Sequence, residues 1–355
     1  MQKLAHYIWF ENRYLFWLLW PLSLVYGFVV LIRRCFYRIG IFKTYRSPVP
    51  IIVIGNLTVG GNGKTPTVIW LLEQLQQKGI EVGVITRGYG SKAPSYPLLV
   101  TETNNAIETG DEPFLIYRRT KAAIAISPNR KEAIELLLNT HPNIQLIISD
   151  DGLQHYAFER DIEWVVIDAY KQFGNGWWLP AGPMRERANR LKQVDALLFN
   201  YGTSKNDLKP YHDVQRINSV EIKHLSNPIM CAALYLSPLN AVNLVTNEQI
   251  PITHFTEVIA IAGIGFPDRF FDLLKHYRVD LHKCVPFPDH HQFKETDLTY
   301  HQIKSNSLPI LMTEKDAMKC LDFAHDSWWY VPINAIITQE TTEALLSQVC
   351  SQIHK

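Results

Sequence analysis

Apolar and polar positions fall into three regimes along the chain. From Tyr14 to Ile32 nineteen consecutive residues carry no charge, YLFWLLWPLSLVYGFVVLI. As a helix rising 1.5 Å per residue the run extends about 28 Å, enough to reach across a bilayer's hydrocarbon core. Short apolar runs rich in β-branched residues then recur near 50–56, 80–86, 122–127, 144–150, 162–168 and 195–200, separated by stretches of helical periodicity. Uninterrupted apolar runs of this length suit strands buried on both faces, and their alternation with helices predicts a mostly parallel α/β sheet. Residues 204–228 turn polar and irregular and read as an inter-domain connection. Beyond them MCAALYL, VIAIAGI, FPDRFFDLLKHY, PILMT, WWYVP and a terminal amphipathic stretch predict a second, smaller α/β unit. The expected organisation is an N-terminal anchoring helix with its flank at 1–46, a first domain at 47–203, the connection at 204–228, and a second domain at 229–355 closing over the first.

Length agrees with this division, since 355 residues suit two domains of about 100 to 200 residues each. A content of 47% hydrophobic and 19% charged residues excludes disorder. The net charge of +1 gives no global attraction to nucleic acid, and no such partner is expected. Five cysteines, widely spaced and without a CxxC pair, argue for a reducing compartment and against structural zinc. Around the apolar run, Trp9, Phe10, Trp17 and Trp20 lie near one end and Tyr26, Phe36 and Tyr37 towards the other, as interfacial aromatics do. Arg33, Arg34, Arg38, Lys43 and Arg46 follow the run, against Lys3 and Arg13 before it, which puts the body of the protein on the cytoplasmic side. No small-x-small cleavage pattern precedes the Arg pair, and Pro21 and Gly27 also allow a kinked helix lying in one leaflet.

The chemistry begins after the first β run. PIIVIGN is followed by Leu57 to Thr65, LTVGGNGKT, and then by the helical TVIWLLEQLQQKG. Strand, glycine loop and helix make a phosphate site: Thr58, Val59, Gly60, Gly61, Asn62 and Gly63 supply the loop, Lys64 reaches the β and γ oxygens, and the Thr65 hydroxyl can ligate Mg²⁺. This predicts a P-loop NTPase-like sheet, although Thr58 stands where the strict pattern has glycine. NIQLIISDD ends a second strand in Asp150 and Asp151, one of which should hold Mg²⁺ directly or through water. Gln154 and His155 follow, near the nucleotide if the strand ends at Asp151. Arg87, in TRGYG after another strand, can bind phosphate. Asp111 and Glu112 open a helix beside Pro113, where acids also merely complement a helix dipole. Asp289, His290 and His291 sit in a proline-rich loop without metal-ligand spacing, so an acid orienting a histidine base fits better than zinc. WWLPAGPMRE brings aromatics beside Arg185, as an acyl or glycan contact would; a packed loop fits equally.

Taken in order, GNLTVGGNGKTP, TRGYG, GDEP, DDGLQH, LPAGPMRE, FPDHHQF and TEKD resemble the tetraacyldisaccharide 4′-kinase family of lipid A biosynthesis, from the apolar helix to about residue 320. Thr58 is part of that family's pattern. The resemblance implies ATP and Mg²⁺ as cofactors. It implies transfer of the γ-phosphate to the 4′-hydroxyl of a tetraacylated glucosamine disaccharide 1-phosphate, giving lipid IVA. It also implies that Asp111 and His290 act together as the base, with Lys64 on the phosphates. Glu112 and one of Asp150 and Asp151 become metal-side ligands, and Arg87 and Arg185 become substrate contacts. The expected setting is the cytoplasmic face of a Gram-negative inner membrane, with membrane lipids as partners and the chain working as a monomer. The rival reading is a membrane-surface P-loop ATPase or GTPase acting as a switch. The lack of a lysine early in the loop and of an NKxD-type guanine motif weighs against it.

Overall fold

The computed structural model of the protein describes residues 7–11, 14–203, 229–303 and 308–353. The expected connection at 204–228 lies outside them. Among the described residues fifteen strands form two sheets. The larger draws on β1 (Ile51–Gly55), β2 (Val82–Thr86), β3 (Leu98–Leu99), β4 (Ala123–Ile126), β5 (Leu146–Asp150), β6 (Ile162–Asp168), β7 (Ala196–Asn200), β8 (Met230–Pro238) and β15 (Ile333–Ile336). Its order is β15-β8-β7-β6-β1-β5-β2-β4-β3, parallel except at the two edges, where β15 and β3 run antiparallel to their neighbours. Every side chain of β1, β2, β5, β6 and β7 is buried, which is why these segments read as unbroken apolar runs. The smaller sheet holds β9 (Ala241–Asn243), β10 (Gln249–Ile250), β11 (Glu257–Ala262), β12 (Asp280–Pro286), β13 (Ile310–Thr313) and β14 (Trp328–Val331). Its order is β10-β9-β14-β13-β11-β12.

This topology corrects the expected boundary at 229. β8 pairs in parallel with β7, β15 pairs with β8, and the terminal helix returns to the first sheet, where Gln348 accepts a hydrogen bond from the Trp164 indole at 3.0 Å. The smaller sheet is therefore an insertion between β8 and β15. An apolar run such as MCAALYL declares that it is buried, but not in which sheet.

Helix α1 (Tyr14–Arg38) is long and apolar enough to cross a bilayer by length and composition. One face is docked on the body of the protein. Ser23 is fully buried, donating to the Trp178 carbonyl at 2.9 Å and accepting from the Ala181 amide at 2.8 Å. At Gly27 the Trp178 ring lies so close that an added Cβ would meet it at 2.4 Å. Arg34 donates to Gln193, and the Tyr37 and Tyr156 rings lie 6.0 Å apart. Residues 23, 27, 34 and 37 share one helical face. Leu18, Leu22, Val25 and Val29 occupy another and are 57 to 75% exposed.

Candidate active site

The phosphate loop joins β1 to α2 (Lys64–Gln77). Gly63 adopts φ +93° and leaves no room for a side chain, since a Cβ there would lie 2.4 Å from Asn200 Nδ2. That amide donates to the Asn62 carbonyl at 2.9 Å, tying the loop to the end of β7. Thr58 is buried and accepts from Asn62 Nδ2 at 2.8 Å, so it braces the loop internally rather than facing a ligand. Val59 donates its amide to the Pro183 carbonyl at 2.9 Å, and Leu57 accepts from the Arg185 amide at 2.7 Å. The Thr58 hydroxyl and the Val59 amide, expected among the nucleotide contacts, are thus engaged within the protein. Segment 183–185 forms a bridge with the loop's start and takes up its polar groups. The backbone amides of Gly60, Gly61, Asn62 and Gly63 have no such intramolecular partner among the described residues.

At the end of β5 the two aspartates differ sharply. Asp150 is 1% exposed and neither carboxylate oxygen accepts a hydrogen bond. Burial, with Glu112 nearby, pushes it up to about 7 against the pull of Lys64 and Arg130. A buried carboxylate left without partners fits a divalent cation. Asp151 sits at φ +49° and takes both of its oxygens to one guanidinium: Arg185 Nη1 lies 2.9 Å from each, and Lys64 Nζ lies 3.6 Å away. Burial raises this carboxyl too, but Lys64 and Arg185 outweigh it and hold it at about 2. Arg185 also donates to Gln154 Oε1 at 3.3 Å, while Gln154 Nε2 donates to the Asn56 carbonyl at 3.0 Å. Arg185, expected as an acyl or glycan contact, lies against Asp151 in this structure. Arg87 is exposed at the end of β2, near enough to His155 to help burial and Arg130 lower that imidazole to about 4.

Helix α4 (Asp111–Thr120), which follows the one-turn α3 (Ala106–Thr109), brings Asp111 and Glu112 to the same mouth. The insertion reaches them from the other side. His290, at φ +60° in the loop after β12, places Nδ1 3.0 Å from Asp111 Oδ2, across 179 residues of sequence. The hydrogen bond to Asp111 raises the imidazole pKa. Asp111 is 3% exposed; burial alone would raise it, but the His290 bond and Lys315 bring it to about 2. His291 is engaged elsewhere, with Asp297 at 3.1 Å. Lys315 Nζ lies 3.0 Å from Glu112, 3.6 Å from Asp111 and 3.6 Å from Asp289. Sequence reasoning assigns no role to Lys315 or Asn200, and none to Asp289 beyond orienting a histidine. The signal for Lys315 is TEKD at a strand's C-terminal end, where Asp316 of the same motif braces the Gly263 amide at 2.7 Å. The same insertion covers the loop, because a Cβ on Gly265 would lie 3.8 Å from the Gly61 amide and 3.4 Å from Asp289 Oδ2.

A glycine loop opening a helix at the centre of a parallel sheet, with carboxylates ending the adjacent strand and an inserted sheet closing over both, defines a P-loop phosphotransferase architecture. The comparisons with known proteins narrow that class. Residues 15–351 match the family model described as Tetraacyldisaccharide-1-P 4′-kinase, and the chain belongs to that family. It is thus a tetraacyldisaccharide 4′-kinase of lipid A biosynthesis. Among solved structures it is similar to the "apo" form of LpxK from Aquifex aeolicus crystallised in complex with ATP. The TM-score is 0.75 and the identity 25%, over 96% of this chain and 99% of that one.

Proposed function

We propose that the chain uses ATP and Mg²⁺ to phosphorylate its lipid disaccharide at the surface of a bilayer, with His290 as the proton acceptor and Asp111 as its buried partner. The observation that carries the reading is the Asp111–His290 hydrogen bond, formed between the two sheets beside the phosphate loop. A carboxyl held at about 2 is a poor base, and Asp111 is shielded. His290 donates Nδ1–H to Asp111 and keeps Nε2 for the 4′-hydroxyl proton, with the carboxylate stabilising the imidazolium that forms. Lys64 and the amides of Gly60 to Gly63 hold the transferring phosphates, in keeping with the ATP of the Aquifex structure. Asp150 and the Thr65 hydroxyl, with Glu112 at the edge, are the groups that would hold Mg²⁺. The ion, when bound, neutralises charge on the β and γ oxygens. Arg87, exposed at the end of β2, is the cation for a substrate phosphate.

The membrane reading rests on α1. Its contacts with the body run from Phe16 to Tyr37, so a span would drag Trp177, Trp178, Gln193 and Tyr156 into hydrocarbon. A helix lying in the cytoplasmic leaflet, exposed apolar face down, keeps those contacts and meets a substrate held in the same leaflet. The test is γ-phosphate transfer from labelled ATP to the acylated disaccharide, by wild type and Lys64→Ala, with flotation on inner-membrane lipid vesicles. Transfer unaffected by Lys64→Ala would sink the phosphate-loop assignment.

A further inference from the structure

Segment 177–185 lies between the apolar helix and the phosphate loop and is bonded to both. Within itself it is closed by three main-chain hydrogen bonds: the Leu179 amide donates to the Met184 carbonyl at 3.0 Å, Gly182 to Trp178 at 2.9 Å and Met184 to Trp177 at 3.0 Å. Asn175 Nδ2 adds a fourth tie, to the Ala181 carbonyl at 2.7 Å. So densely bonded a turn resists local opening and passes a displacement from one side to the other. On the membrane-facing side Ser23 holds it at two points, the Trp178 carbonyl and the Ala181 amide, and the Tyr26 hydroxyl donates to the Arg185 carbonyl at 3.4 Å. Gly27 admits the Trp178 ring. On the other side Pro183 accepts the Val59 amide, Met184 bridges to Thr58, the Arg185 amide donates to Leu57, and the Arg185 guanidinium lies on Asp151. Gly60, Gly61 and Gly63 give the loop little stiffness of its own, so it is held from outside, by Asn200 near its end and by this segment at its entrance. A serine and a glycine in the middle of an apolar helix do nothing for anchoring, and the glycine weakens the helix. Docking accounts for both.

We propose that Ser23 and Gly27 are positioning residues of the nucleotide site: by docking α1 on segment 177–185 they hold the entrance of the phosphate loop in its ATP-binding shape. The helix is then a working part of that site as well as an attachment to the bilayer. Its docked face carries the effect and bilayer contact does not, so the dependence persists in detergent. The proposal rests on the reading of the loop as the ATP site, and one of its readouts needs no nucleotide.

The test compares full-length, detergent-solubilised wild type with Ser23→Ala, Gly27→Ala and Val25→Ala. Ser23→Ala removes both bonds to the segment. Gly27→Ala improves the helix and acts only by pressing a methyl group against the Trp178 ring. Val25 is 63% exposed on the other face and serves as the control. In hydrogen exchange without nucleotide, peptides covering 57–63 and 178–185 should exchange about tenfold faster in the two docked-face variants, the effect of losing one ordinary hydrogen bond, with strands 51–55 and 146–150 unchanged. By calorimetry ATP should bind roughly three- to tenfold more weakly, and KM for ATP should rise likewise while kcat at saturating ATP stays within about threefold. A sample that was merely part unfolded would lower kcat and leave KM for ATP alone. Wild-type exchange at 57–63 in both docked-face variants would overturn the proposal. So would an equal effect of Val25→Ala, or a fall in kcat with KM for ATP unmoved. A wild type that bound no ATP would refute the phosphate-loop reading instead, and the exchange comparison would still decide whether α1 holds the loop.

Discussion

Replacing Asp150 by asparagine should remove phosphoryl transfer and, at the same time, flatten the pH dependence of the ligand-free protein's stability. Asp150 is buried with both oxygens unpartnered, and burial lifts its pKa from 3.8 to about 7. A rise of that size corresponds to about 4 kcal/mol between the two protonation states. Because the folded-state value is raised, the carboxyl is no burden below about pH 4, where both states are protonated. The burden then grows with pH and is complete above about 7. Between pH 6 and 8 the wild type should lose about 1 kcal/mol relative to Asp150→Asn, which does not titrate there; other groups titrate in both proteins and cancel. The asparagine leaves its own amide unpaired, at about 1–3 kcal/mol, so the difference in slope carries the test rather than the absolute Tm. Thermal unfolding at pH 6, 7 and 8, with and without Mg²⁺ and nucleotide, measures it. The wild-type Tm should fall by about 1–2 °C relative to the variant across this range, and Mg²⁺ with ATP should restore the wild type alone. Parallel pH profiles, or equal stabilisation of both proteins by Mg²⁺, would refute the reasoning.

Alanine at His290, or Asp111→Asn, should lower kcat by roughly 10² to 10⁴ with ATP binding little changed, measured by steady-state kinetics and nucleotide titration. Asp111 raises the His290 pKa and the base works neutral, so activity should climb with pH through that raised value; in Asp111→Asn the climb should begin at lower pH in a kcat/KM profile. Gly63→Ala meets both the positive φ and the Asn200 amide, and should cost roughly 1–3 kcal/mol in denaturant unfolding and weaken ATP binding. Arg119→Ala leaves the buried Glu314 without the guanidinium 3.1 Å from both its oxygens, and should cost about 3–5 kcal/mol by the same measurement.

The first sheet was legible because its strands announce themselves. Five of them are buried on both faces, and the loop between β1 and α2 uses residue types few other structures need. Asp111 and His290 are 179 residues apart, and in the sequence only the order of motifs links them. What stayed hidden depends on which side of a segment its neighbours occupy. In the sequence Arg185 fits a substrate contact and a packed loop equally, and its pairing with Asp151, 34 residues earlier, appears only in the structure. The motif order accounts for Thr58 in place of glycine, but its partner, the Asn62 amide, appears only in the structure. The assignment of β8 to the first sheet depends on edge pairing, which a uniformly apolar run does not encode.

The chain leaves the first sheet after β8 and re-enters it at β15, so the smaller sheet is tethered at one edge only. Near that tether Arg119 grips Glu314 and also donates to Asn334 on β15, a residue of the first sheet itself. Those at the mouth are side-chain pairs across the gap: Lys315 on Glu112 and Arg269 on Asp168 at 2.5 Å join groups of opposite charge, and His290 hydrogen-bonds Asp111, at least one of each pair partly solvated. Lys315, drawn between Asp111, Glu112 and Asp289, places a cation among carboxylates, where its charge offsets their repulsion. A nucleotide and its cation entering the cleft would compete for Glu112. The Asp111–His290 pair joins a residue of the first sheet's helices to one of the insertion, so the proton acceptor and its partner come from the two sides of the site.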